Sequence, residues 1–212
     1  AEFVSVLQTM TNQIAVAIDN ADLFNQVQQT LAQTAALYET GRRLTEADSE
    51  YELYNTLIDF VARNKAFDAA YVITADPSST IHRYVPIIWN LEEPRDIPNP
   101  RRVRAGNMIP HRSNTDLYRI VPDVLSSDYF SSPQIKAFFA TNNIRSCCML
   151  RIFVNDLWVA SLALLRRNDT IPTEEDLQPY ISLEDQTAVI LTNQRLLKET
   201  SALYRLGRSL SA

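Results

Sequence analysis

Few side chains in this sequence could do chemistry, and they are scattered. The imidazoles are His82 and His111, and the thiols are the adjacent Cys147 and Cys148. A tetrahedral zinc site takes three or four N, S or O ligands, usually in Cys-x-x-Cys or His-x-x-x-His spacing, and neither spacing occurs. A catalytic thiol needs a base or cation beside it to become a thiolate, and the sequence offers Cys147 no such partner. There is no Gly-x-Ser-x-Gly elbow. With only Gly41, Gly106 and Gly207, no glycine-rich loop can wrap a phosphate. The chain therefore reads as non-enzymatic, with no catalytic residue, no metal ligand and no identified cofactor.

One cluster remains. Between Arg83 and Arg119 seven arginines face four acids, in a chain whose 20 basic and 25 acidic residues leave a net charge of −5. The planar guanidinium fork suits a carboxylate or a phosphate. We therefore expect a pocket for an unidentified, anionic small molecule, with Arg83, Trp89, His111 and Tyr118 as the candidate ligand-binding residues. A solvated loop face with intermittent ion pairs would use the same residues. His82 sits in a strand pattern between Ile81 and Arg83 and reads as a surface or hydrogen-bonded histidine.

The acidic balance argues against nucleic acid or an anionic membrane as the main partner. Leu157–Leu165, the longest apolar stretch, falls far short of the roughly 20 residues that span a bilayer. Adjacent cysteines exclude a disulfide framework. On a strand they point to opposite faces, and the sequence expectation is two reduced, semi-buried thiols in a cytoplasmic protein.

The elements that must position these groups follow from pattern. From Val4 to Glu46 there is no proline, and Phe24, Val27, Leu31, Thr34, Tyr38 and Gly41 fall at spacings of three and four, which predicts one long helix. Ser49 with Glu52 reads as a capping box opening a second helix with Leu53, Leu57 and Val61 on one face. Phe67–Ala75 and Thr80–Trp89 read as strands around a turn at Asp76–Ser79. Pro94, Pro98, Pro100 and Pro110 predict a loop with one short strand. Leu117–Val121 reads as a strand, Pro133–Asn142 as a helix, and Arg145–Arg167 as a hairpin turning at Asn155-Asp156. Thr173-Glu-Glu-Asp176 caps the last helix. Pro179, six residues on, predicts a kink or a restart there.

The two ends repeat each other. Gln13-Ile-Ala-Val-Ala-Ile-Asp-Asn20 matches Gln186-Thr-Ala-Val-Ile-Leu-Thr-Asn193, offset by 173 residues, and Ala36–Leu44 matches Ala202–Leu210, offset by 166. The offsets differ by seven, a heptad, which a helix absorbs while keeping one face toward its partner. The pattern is that of a tandem array: residues 1–47 form a connector helix ending a preceding repeat, residues 48–197 a complete domain, and residues 198–212 the start of the next connector.

Asn143-Ile-Arg-Ser146, Arg151-Ile-Phe153, Asp156–Leu162, Thr173–Leu177 and Gln186–Val189, in that order, resemble a GAF domain. Val121-Pro-Asp-Val124 resembles that family's strand into its Asp-Val segment. The resemblance implies an α+β, GAF/PAS-like fold: a central antiparallel β-sheet of about six strands, long N- and C-terminal connector helices on one face, and a ligand pocket on the other. Asn143 and Ala160 stand where many members carry glycine, and Ile171-Pro172 replaces an aromatic. Met149 follows Cys148, where bilin-binding members carry a Cys-His pair. The Asn-Lys-Phe-Asp-Glu motif of cyclic-nucleotide members is missing, and the adjacent cysteines do not match the family that reduces free methionine sulfoxide.

The functional expectation is a regulatory sensory module that binds a small molecule and relays its state through the connector helices to a downstream output such as a bacterial histidine kinase. The alternative is a ligand-free structural or dimerisation module within a tandem array. In both, the expected partner is a second copy, paired as a coiled coil along Phe24, Val27, Leu31 and Tyr38.

Overall fold

A computed structural model describes residues 2–75, 82–90, 101–104, 117–130, 132–155 and 157–210, and for 2–9, 75, 82–90, 101–104, 207, 209 and 210 it describes the backbone alone. The chain divides into two compact units, Ala1–Glu39 and Thr40–Ala212.

The first unit is helical throughout its described length, as the bulk of α1 (Glu2–Glu46). Met10, Ile14, Ile18, Phe24, Val27, Leu31 and Tyr38 are all exposed along it. Thr30 and Thr34 donate their hydroxyls to the carbonyls of Gln26 and Thr30, at 2.9 and 2.8 Å.

The second unit begins with the last turns of α1. Leu44 is buried there, and Arg43 reaches Asp59 of α2 (Glu50–Asn64) at 2.7 Å. Gly41 lies against α4, close enough that a Cβ built on it would stand 2.6 Å from Gln186 Oε1. At the start of α2, Ser49 Oγ accepts from Glu52 N, while Glu52 Oε2 accepts from Asp48 N at 2.8 Å. The capping box thus closes one residue earlier than the ideal pattern.

Six strands follow: β1 (Ala69–Ala75), β2 (His82–Asn90), β3 (Arg101–Arg104), β4 (Tyr118–Val121), β5 (Ser146–Val154) and β6 (Leu157–Arg166). They form one sheet in the order β3-β2-β1-β6-β5-β4, each pair antiparallel. The β5–β6 hairpin turns at Asn155, whose φ of 51° is the left-handed conformation that Asn tolerates. Between β4 and β5 lies α3 (Pro133–Thr141), with proline at its first position. The antiparallel sheet with its helices is the expected α+β architecture.

α4 runs unbroken from Glu174 to Leu210 with Pro179 inside it, so the expected restart at that proline does not occur. Thr173 and Asp176 cap the helix reciprocally, at 3.2 and 3.0 Å. Leu177, Tyr180 and Leu183 are buried on either side of the proline. Burial on both sides outweighs one lost hydrogen bond, whose orphaned carbonyl belongs to the exposed Glu175.

Helices cover one face of the sheet, α2 over β1 and β2 and α4 over β5. Tyr180 joins them: its ring meets Phe60 and Phe67 edge-on at 5.4 and 5.5 Å, and its hydroxyl accepts from Asn64 Nδ2. Strand alternation assigns Ala70, Val72, Cys148, Leu150, Ile152, Leu162 and Leu164, all buried, to this face. The alternate residues Ala69, Tyr71, Ile73, Cys147, Met149, Ala163 and Leu165 form a second cluster with the β4–β5 connection. Cys147 and Cys148 are both free thiols and fully buried rather than semi-buried, because β5 is covered on both sides. No helix among the described residues is long and apolar enough to cross a membrane.

Candidate functional site

The face opposite α2 and α4 has a different cover. Val121 ends β4, and Asp123 then folds the chain back, its Oδ1 accepting from Leu125 N and Ser126 N at 2.9 and 3.4 Å. The Ser126 hydroxyl, and after it these two backbone donors, favour the carboxylate and hold the Asp123 pKa below the usual range. Val124 N bonds to Arg145 O, and Ile144 N to Phe139 O at 2.8 Å, tying both ends of the connection to the sheet. Tyr129, Phe130 and Phe139 then stack edge-to-face, with centroids 4.9 Å apart at each step.

Polar groups gather at one end of this apolar bed. Arg119 of β4 stands opposite Met149, and its guanidinium lies 5.0 Å from the centre of the Tyr129 ring. Arg151 of β5 stands opposite Ser161 of β6 and is 2% exposed. Ser161 accepts from Trp158 Nε1 at 2.9 Å, and Trp158 packs against the same apolar cluster, as does Tyr129. Tyr71 is buried nearby on β1.

Burial pushes the Tyr71 hydroxyl far up, and the neighbouring Cys147 and Tyr129 push the same way. Burial also raises Tyr129, against the opposing pull of Arg151 and Arg119. Cys147 is held well above its ordinary value by burial and by Cys148, and Cys148 is pushed up to about 12 by burial. Neither thiol can supply a thiolate near neutral pH. Among the described residues no group of three or more His, Cys, Asp or Glu could hold a metal ion. The cluster can bind, through two cations, hydroxyls and aromatic faces; it offers no nucleophile.

Of the residues expected from sequence, only Tyr118 has its side chain among the described residues. Arg83 and Trp89 lie on β2, where the backbone register sets Arg83 against Ala75 and Val103, and Trp89 against Ala70. His111 lies outside the described residues. Tyr118 is half-buried on β4 opposite Leu150, and its hydroxyl is hydrogen-bonded to the Glu174 carboxylate at the start of α4, which holds its pKa up. Its neighbour Arg119, a member of the arginine cluster, is the one that reaches the aromatic bed. Sequence reasoning passed over Tyr71, Tyr129, Arg151, Trp158 and Ser161. Arg151 did carry a signal, as a lone charge in the apolar run Cys147–Val154.

No family model matches the sequence, and no curated protein matches it. Solved structures do. The chain is similar to the chromophore-binding domain of an unusual bacteriophytochrome, RpBphP3 from R. palustris, with a TM-score of 0.62 and 12% identity over 77% of this chain and 62% of that one. It is also similar to the phycoerythrobilin-bound GAF domain of a cyanobacterial phytochrome (TM-score 0.59, 15% identity, 80% of this chain and 99% of that one). A third is the photosensory core module of the Stigmatella aurantiaca phytochrome, with a TM-score of 0.59 and 15% identity over 78% of this chain and 37% of that one. The chain thus spans less than two thirds of the first and third of these. The likeness is one of fold, and the fold is that of a GAF domain.

Proposed function

We propose that this GAF-fold chain is a regulatory module that holds a small anionic molecule against Arg119, Arg151 and Tyr129, and passes the state of that site to its connector helices. The observation that carries the reading is the double duty of β5. Cys147, Met149 and Arg151 face the polar-aromatic cluster, while Cys148, Leu150 and Ile152 face the side on which α4 packs. A shift of that strand on one side is felt by a helix on the other.

Two of the similar structures hold bilins, phycoerythrobilin and phycocyanobilin. A bilin attached through sulfur does not fit here, because both thiols are buried and their pKa values raised; the ligand is held without a covalent bond. The copies pair along the exposed Phe24, Val27, Leu31 and Tyr38 of α1, and the output is a downstream signalling domain such as a histidine kinase. The module is regulatory rather than catalytic and works in the cytoplasm.

Thermal-shift screening of small carboxylates and phosphates, with phycocyanobilin included, tests the site. A ligand at 100 times its Kd stabilises by about 2.7 kcal/mol, and Arg119→Met abolishes that shift. Phe130, Ile135, Phe139 and Ile144 already bury much of this face, which favours the second reading, a ligand-free structural module. A panel in which nothing stabilises the protein leaves that second reading. Sedimentation velocity checks the pairing: a dimer is expected, and Leu31→Glu shifts it to monomer.

A further inference from the structure

The repeat makes residues 10–20 of α1 the counterparts of residues 183–193 of α4. Within α4, Leu183, Glu184, Thr187 and Leu191 are buried, at the spacing of one helical face, and α4 packs on β5. Their counterparts in α1 are Met10, Thr11, Ile14 and Ile18. The three large apolar residues among these are 54–58% exposed. The outer face corresponds as well, since Val189 and its counterpart Val16 are both exposed. The first 38 residues carry only Glu2, Asp19 and Asp22 as charges; none lies between Met10 and Ile18, and Asp22 stands one turn beyond Ile18. A helix face with that pattern and no charge is built for burial.

From this we infer that residues 10–20 of α1 are the sheet-covering helix of a second module of this fold, preceding this one in the same polypeptide. The partner of the Met10, Ile14 and Ile18 face is the helix-bearing side of that module's antiparallel sheet. One contact follows the same repeat. Within this module Gly41 meets Gln186, and both residues recur in the repeat: Gln13 is the counterpart of Gln186, and Gly207 that of Gly41. Each copy of the repeat carries one half of a contact that this module completes. The inference rests on the repeat and not on what the polar cluster holds, so failure of the ligand reading leaves it standing.

The test is a transplant within the present chain. Residues 183–193 are replaced by 10–20, which puts Met, Thr, Ile and Ile at the buried positions 183, 184, 187 and 191. The control replaces the same stretch by residues 12–22, which puts Asn, Gln, Val and Asn there from the same helix, rotated by two residues. The expected result is a single cooperative unfolding transition for the in-register transplant and its loss in the control. Loss in both, or retention in both, overturns the inference. Ile14→Glu in the unaltered chain gives the second arm, read by sedimentation velocity. An unchanged oligomeric state supports a sheet partner, and dissociation of a dimer would assign this face to a second copy and sink the proposal.

Discussion

The two faces of the sheet bury similar strands in opposite ways. On the helix side several polar groups answer one another within the fold. Arg166 reaches Asp176 at 3.2 Å and the Ala66 carbonyl at 3.0 Å while lying over Phe67, Tyr180 takes its hydrogen bond from Asn64, and Gln194 donates to the Ala47 carbonyl. On the other side the cover is the nine-residue α3 and a turn pinned by Asp123, with the exposed Arg119 lying over the Tyr129 ring and Arg151 buried in the strand beside it. The contrast separates polar groups that tie elements together from polar groups gathered at one spot on an apolar surface. Both sets hang on the same strands, because alternation lets neighbouring residues answer different demands.

Substitutions can break that contrast. Leu162, 1% exposed on the helix side, should cost about 2–5 kcal/mol when changed to Ala, seen as a lower urea midpoint. The contrast fails if Tyr129→Leu across the sheet costs as much. Glu184 is an exception on the helix side, a buried carboxyl whose pKa burial, helped by Asp185, raises to about 8. Below the ordinary carboxyl pKa it is protonated folded and unfolded alike, and this stability is fully present. As pH climbs toward 8 the unfolded chain gives up the proton and the folded one keeps it, so stability falls. Glu184→Gln should flatten that slope and raise stability at pH 8 on the order of 2 kcal/mol, measured by denaturation at pH 5 and pH 8.

Smaller effects sharpen the comparison. Tyr129→Leu keeps the apolar packing and gives up the ring beneath Arg119, so stability should move by less than about 1 kcal/mol, while the stabilisation by a bound anion drops. Gly41→Ala gains about 1 kcal/mol of helix propensity and spends part of it displacing the Gln186 side-chain amide. The gain should be larger in a Gln186→Ala background, and a thermal melt of the two pairs resolves it.

Much of the fold was legible because its punctuation is local. Ser49, Pro133, Asn155 and Thr173 each mark an end that needs no knowledge of the rest of the chain, and the strands between them alternate or run apolar as buried strands do. Of the two outcomes expected at Pro179, the restart fails because the local rule sees one lost hydrogen bond, not the burial of Leu177, Tyr180 and Leu183 around it. The site was less legible for a reason of phase. A four-residue strand such as Tyr118–Val121 can be recognised without fixing which side faces which cover, and a step of one residue exchanges Tyr118 for Arg119. Tyr129 comes to Arg119 through a turn, and Arg151 to Ser161 through register; neither meeting is written in spacing along the chain.

The unbroken run of α4 from Glu174 to Leu210 also bears on inheritance. A helix that serves as the joint between duplicated units turns by about 100° for every residue gained or lost, so a single-codon insertion would swing everything downstream to a new side. A gain of seven leaves only about 20° of drift. The seven-residue difference between the two repeat offsets is thus the size of change that a lineage can accept in one event, and joints of this kind should lengthen and shorten in such steps while the domains between them drift freely in sequence.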